Sequence, residues 1–399
     1  MSGFSVAEVL ERLQDLLLTS DAADEKKTDE QDEIHALLAM LKDWSQNRYR
    51  REELAEHRVA KYLLVPALQQ AEHLSLSVLG SLLDVASALA AASSTHRQAL
   101  DKAGATTVTA ELAALDISPR VTAAAYKLLS HLALSKECAA RMSTDVVPLL
   151  QTVLMDETTH VRVVREVVGT LANVAGHVTA QTALTESSLN KSKNNDDGGD
   201  KDYGTLQALC NNMQRHATDT EIQLAACQVW WNLLAAAPPQ RNKKDALPPI
   251  VQAWQTLDGM GHVLGAMELH AKRGDIQEAA CGALSCVVWR PRSEDDNVRA
   301  LATTLVLQTL ASYDTKENPS VLTTACRALA NTCRDCTDAA SLVLDPVPLG
   351  RLHAIAESTC HGDADQVRLA LAVLDAWSAL AVHAKYAACT TLVQAAYLA

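Results

Sequence analysis

Few stretches of this chain carry the residue types of catalysis, and each has a plainer structural explanation. Cys333-Arg-Asp-Cys336 has the two-thiol spacing of half a zinc site, but a closed site needs two further ligands close by. The nearest thiols, Cys281 and Cys326, fall on separate packed helices whose axes stand about 8–10 Å apart, so the pair reads as small-hydrophobe packing. Ser293-Glu-Asp-Asp296 resembles an acidophilic kinase substrate, yet a helix N-cap with acids complementing the dipole explains it better. The chain has no phosphate-cradling Gly loop, no HExxH and no nucleophile elbow. With 13 His and 48 acidic residues, chance pairs carry no weight. What remains is a set of side chains suited to binding rather than turnover: Lys127, Arg165, Arg327, Gln228, Asn173, Asn232, Asn331, His131 and Trp231. None of these requires a metal or a cofactor.

The elements that hold them are copies of one helix. With Ile222 as position zero, apolar or small residues recur at +3, +4, +7 and +8 (Ala225, Ala226, Val229, Trp230), followed by Asn232 at +10. This is the stripe of a buried helix. The same template starts at Val121, Val163, Ile276 and Val321, and in part at Val367. Steps between copies are 42, 59, 54, 45 and 46 residues. The two long steps contain an insertion expected to be disordered, 186–202, and a Pro-rich loop, 237–249. Without them the period lies in the forties, as in an armadillo- or HEAT-type helical solenoid. A shorter helix precedes each copy, and Gly104 marks a break before one of them. The repeating unit is therefore short helix, short helix, long helix.

Positions 0, +3, +4, +5, +7 and +8 sweep a wide buried arc, so the long helix has neighbours on both sides. The arc left open runs through +2, +6 and +10. It holds Lys127, His131, Arg165, Asn173, Gln228, Asn232, Glu278, Arg327 and Asn331. Three basic residues against one acidic, in a chain of net charge −13, give this face the opposite sign from the rest of the surface. An acidic or polar segment is the better ligand for it. Trp231 lies beside the open arc, whereas Trp230 reads as core. His131 is either a contact residue or simply solvated.

Lys102-Ala-Gly-Ala105, Thr-Leu-Ala-Asn173 and Ala-Leu-Ala-Asn331, with Val-Trp-Trp-Asn-Leu233 less closely, resemble the armadillo-repeat family over roughly residues 60–399. The resemblance implies an all-α fold, a right-handed superhelical solenoid of armadillo-like three-helix repeats. It also implies that third helices line a concave groove, in which the +10 Asn hydrogen-bonds the backbone of an extended partner peptide. Carried over, that role falls to Asn173, Asn232 and Asn331. His131, Cys286 and Trp377 occupy the same slot elsewhere, so the ladder is interrupted. Gly169, Gln228 and Arg327 stand where an importin-α pattern wants Trp, which disfavours a nuclear-import adaptor.

Residues 1–57 read as a capping region: a helix opened by the Ser5/Glu8 capping box, an acidic linker over 19–33, and a second helix from Ile34. Residues 58–399 form the solenoid, with about seven repeats. The negative charge argues against nucleic acid and anionic membrane as partners, and no run of about 18 apolar residues suggests a span. Ser2 stands where myristoylation requires Gly, and the C-terminus has no prenylation signal. Ten Cys are ordinary usage and point to reduced thiols in a cytoplasmic, or alternatively nuclear, setting. The expected function is a non-enzymatic scaffold or adaptor that holds an extended partner segment. The alternative is a structural subunit of a cytoskeletal or regulatory complex assembling through its terminal helices. The apolar stretch 384–398, whose only charged side chain is Lys385, is the expected surface for self-association.

Overall fold

The computed structural model describes residues 5–18, 27–177, 184, 204–237, 248–287, 289, 293–334, 336–359 and 364–382. Helices and turns make up the described residues. The chain divides into two compact units, Met1–Ala208 and Leu209–Ala399, and the division falls within the helix Gly204–Arg215.

In the first unit four long helices lie side by side in chain order: Lys27–Gln46, Leu76–Ala92, Pro119–Leu132 and Val161–Ala175. Shorter helices fill the intervals, Ser94–Lys102 and Ala105–Ala114 in one, Lys136–Asp145 and Val147–Met155 in the next. Gly104, with φ of +94°, supplies the left-handed residue on which the first pair of short helices turns. In the second unit the long helices are Thr220–Ala235, Gly274–Cys286, Pro319–Cys333 and Ala364–Ala381, again packed in order. Here Ser293–Ser312 is one 20-residue helix.

The core is built as the stripe requires. Ile222, Ala225, Ala226, Cys227, Val229 and Trp230 are all buried. Small residues at +3 and +4 let consecutive long helices approach closely, and burial on both flanks offsets the entropy of ordering them. Several long-helix starts are capped by side chains: Ser118 Oγ accepts from the Val121 amide, and Asp219 Oδ1 from those of Glu221 and Ile222. The Ser5/Glu8 capping box forms, with Glu8 accepting from the Ser5 amide at 2.8 Å.

Two expectations are corrected. The acidic stretch expected as a linker over 19–33 is helical from Lys27 onward, because Asp29 and Glu30 occupy the first turn, where the helix dipole favours them. Arg12 on the preceding helix also pairs with Glu33 at 2.7 Å. In the final long helix the template starts at Leu369, not Val367. Leu369, Ala372, Val373, Ala376 and Trp377 are buried, while Val367 is 52% and Leu371 58% exposed. Aliphatic residues occur on both sides of this helix, so periodicity alone left two starts, and contact with the Pro319 helix selects one. Residues 186–202, most of 237–249 and the stretch 384–398 lie outside the described residues.

Candidate functional site

The +10 residues emerge from the long helices half-buried, and their partners lie one repeat earlier. In the first unit Asn173 Nδ2 donates to the Ser130 carbonyl at 3.0 Å and to Ser130 Oγ at 2.9 Å. His131 Nδ1 lies 2.8 Å from Ser87 Oγ, the equivalent serine of the repeat before. Burial, reinforced by Lys127, holds the His131 imidazole below its ordinary value and so neutral. In the second unit Asn331 Nδ2 donates to the carbonyls of Leu284 and Val287, at 2.9 and 2.8 Å. Those carbonyls close the Gly274–Cys286 helix, so the amide satisfies groups that a helix end leaves orphaned. The donors of Asn173 and Asn331 are thus engaged in joining repeats. Each Oδ1 keeps its acceptor capacity, with no donor among the described residues. Asn232 is half-buried on the Thr220 helix.

Around the amides stand the charges. Lys127 and Arg165 are exposed in the first unit, and Arg327 in the second. Lys127 and Arg327 have no ion-pair partner among the described residues. Gln228 is half-buried, and Glu278 accepts from Ser320 Oγ at 3.0 Å. Trp231 is half-buried too. Its indole lies flat against Gly282 of the next long helix, where a Cβ would meet Trp231 Cδ2 at 2.3 Å. The polar residues thus gather as separate rows within each unit, with Trp231 packed down beside its row.

Burial keeps the thiols of the Cys333 region and the neighbouring long helices protonated. Burial pushes Cys333 up to about 12, and Cys227 and Cys326 likewise to about 12. Among the described residues no group of three or more His, Cys, Asp or Glu is placed to hold a metal ion.

Two joints escaped the sequence reading. Gln223 and Gln277 each follow position zero, and both are buried. Gln223 Nε2 donates to the carbonyls of Met213 and His216, and Gln277 Nε2 to those of Met267 and His270. Thr309 completes the second site by donating to Gln277 Oε1 at 2.7 Å. The recurring Ile-Gln pair was the available signal. The histidines His177 and His270 form a similar joint, donating through Nε2 to the carbonyls of Ala133 and Ala217.

No family model and no curated protein sequence matches the chain. Among solved structures it is similar to the designed armadillo repeat protein YIII(Dq.V1)4CPAF in complex with the peptide (KR)4. That match has 19% identity and a TM-score of 0.51, over 70% of this chain and 100% of that one. It is also similar to the designed armadillo repeat protein YIII(Dq)4CqI, with 18% identity and a TM-score of 0.53 over 71% and 100%. An engineered protein matches at 16% identity and a TM-score of 0.53, over 97% and 92%. The succession of short and long helices, the stacked long helices and these likenesses together give the chain an armadillo-like repeat fold, an all-α solenoid.

Proposed function

We propose that this chain is a non-catalytic scaffold that holds an extended acidic or polar segment of another protein along the open faces of its long helices. The observation that carries the proposal is the sign of those faces. Lys127, Arg165 and Arg327 are exposed there in a chain of net charge −13, and Lys127 and Arg327 lack ion-pair partners among the described residues. The Asn173 and Asn331 donors join repeats, so their Oδ1 atoms are the groups offered to a ligand's backbone N–H. The cations add charge complementarity at each row. A solenoid suits this role because each repeat adds one more contact of the same kind. Nucleic acid is an unsuitable partner for so acidic a chain. Among the described residues no helix is long and apolar enough to cross a membrane, and the proposed setting is cytoplasmic or nuclear.

The designed neighbour binds a basic peptide, which supplies a direct control. Fluorescence anisotropy with an acidic Asp-Glu octapeptide and with (KR)4 should show binding of the first only. Lys127→Glu with Arg327→Glu should weaken it by about tenfold. Preference for (KR)4, or unchanged affinity in the double variant, sinks the reading.

The second reading, a structural subunit assembling through its terminal helices, draws on Val367, Leu371 and Val382, all exposed on or just after the last described helix. Aspartate at Val367 and Leu371 should abolish concentration-dependent association in sedimentation. A chain that is monomeric before these changes removes this reading.

A further inference from the structure

Glycine occupies the sixth position beyond the template start twice, as Gly169 in the first unit and Gly282 in the second. Their surroundings differ. At Gly282 the Trp231 ring takes up the space of the missing Cβ. At Gly169 no side chain does: beyond its own helix backbone, a Cβ there would meet only Ser130 Oγ, at 4.0 Å. That is an ordinary van der Waals distance, so packing does not demand a glycine at this point. In a helix interior glycine is also less stable than alanine. What the missing side chain leaves is a notch in the open face of the Val161–Ala175 helix, where Gly169 is half-buried.

The floor of the notch is a hydroxyl. Ser130 is only 9% exposed, and its Oγ is the atom nearest the void. That oxygen accepts from Asn173 Nδ2 at 2.9 Å, and the same amide's bond to the Ser130 carbonyl fixes which end of Asn173 points there. A serine hydroxyl both accepts and donates. Its proton is left over, with no acceptor among the described residues.

The edge of the notch is cationic. Lys127 stands one turn before Ser130 on the Pro119–Leu132 helix, at the i, i+3 spacing that shares a face. It is exposed and has no ion-pair partner among the described residues. Arg165, one turn before Gly169, is exposed as well. Asn173, one turn after it, keeps its Oδ1 for a backbone N–H. A buried hydroxyl proton below and a cation beside it suit an oxyanion one side chain wide.

We propose that this notch takes one carboxylate side chain, aspartate or glutamate, of the extended partner segment and so sets the register of that segment on the first unit. The carboxylate accepts from Ser130 Oγ at the floor and pairs with Lys127 at the edge, while Arg165 adds charge from the preceding turn. The proposal rests on the reading of the open faces as the partner's binding surface, and it adds the position at which an acid is selected. A free amino acid has the same carboxylate without the neighbouring contacts, so the occupant is a side chain within a segment.

Fluorescence anisotropy on the full chain tests it, with labelled octapeptides of alternating Asp-Glu and of alternating Asn-Gln, the same shapes without charge. The unaltered chain should prefer the acidic peptide, and free glutamate should not displace it. Gly169→Ala covers Ser130 Oγ while improving the helix, so it should raise the melting temperature and yet weaken the acidic peptide about threefold. Gly169→Leu should weaken it about tenfold and shrink its advantage over the amide peptide. Full affinity in both glycine variants, alongside weakened binding in Lys127→Glu with Arg327→Glu, overturns the notch and leaves the wider reading standing. No binding of the acidic peptide to the unaltered chain overturns both. Equal loss of the two peptides in Gly169→Leu, or displacement by free glutamate, overturns the selection of an acidic side chain.

Discussion

Gly282 is buried at the sixth position beyond Ile276, and three ring atoms of Trp231 occupy the space of its missing Cβ, the nearest at 2.3 Å. The indole is large and held between helices, so it cannot swing aside cheaply. Gly282→Ala should destabilise the chain by about 1–3 kcal/mol, read as a lower urea midpoint, and adding Trp231→Ala should return part of the loss. A fully stable Gly282→Ala protein would show that the contact is absent in solution. Three histidines, one buried and two half-buried, carry a second residue-scale consequence. His96, His131 and His262 are all lowered, mainly by burial. Their folded values lie beneath the ordinary 6.5, so the unfolded chain takes up protons first. Stability should therefore be complete above that value and fall as pH drops from about 7 to about 5. A melting temperature that stays flat or rises over this window contradicts the assignment.

Between elements, the joints are amide side chains reaching the last carbonyls of another helix. Gln277 donates twice and accepts once, in buried surroundings except for the part-buried bond to the His270 carbonyl. Gln277→Met keeps the length and removes the pairing, taking the amide donor from the Met267 carbonyl, while the His270 carbonyl keeps the Arg273 N–H and the Thr309 hydroxyl keeps the Leu305 carbonyl. The expected cost is about 1–3 kcal/mol with an unchanged denaturant slope, and a neutral result would mean that water replaces the amide. Asn331→Leu should likewise lower stability, because the Leu284 and Val287 carbonyls lose their donor. It should also weaken the acidic peptide through loss of Oδ1. Loss of affinity with full stability would place Asn331 on the ligand alone.

Across the whole molecule, the thiols report on opening. Cys138, Cys210, Cys227, Cys281, Cys326, Cys333 and Cys336 are buried, and Cys286 is half-buried. They are spread through both units, and repeats contact chiefly their neighbours, so each thiol samples the breathing of its own part of the stack. Among the described thiols, brief alkylation of the native chain followed by peptide mapping should label Cys286 ahead of the other seven, which should react only on unfolding. Early labelling of Cys326 or Cys227 would show that the second unit opens locally far more readily than its packing implies.

The sequence alone carried the α class, the long-helix template and the period, because an amphipathic stripe is a local property that a 3.6-residue spacing displays without knowledge of any neighbour. The Ser5/Glu8 box and the Gly104 break were legible for the same reason: each is completed within one turn of the chain. Whatever depends on a residue some forty positions away was decided by tertiary structure. The open-arc amides could be placed on one face, but that Asn173 and Asn331 spend their donors on the preceding repeat follows only from how the long helices stack. The start of the last template moved from Val367 to Leu369, since a helix with aliphatic residues on two sides takes its inner face from its neighbour. His96 had no periodic signal at all. Its two nitrogens are left without partners among the described residues by the way separate helices pack around the ring, and no spacing within the chain encodes that packing.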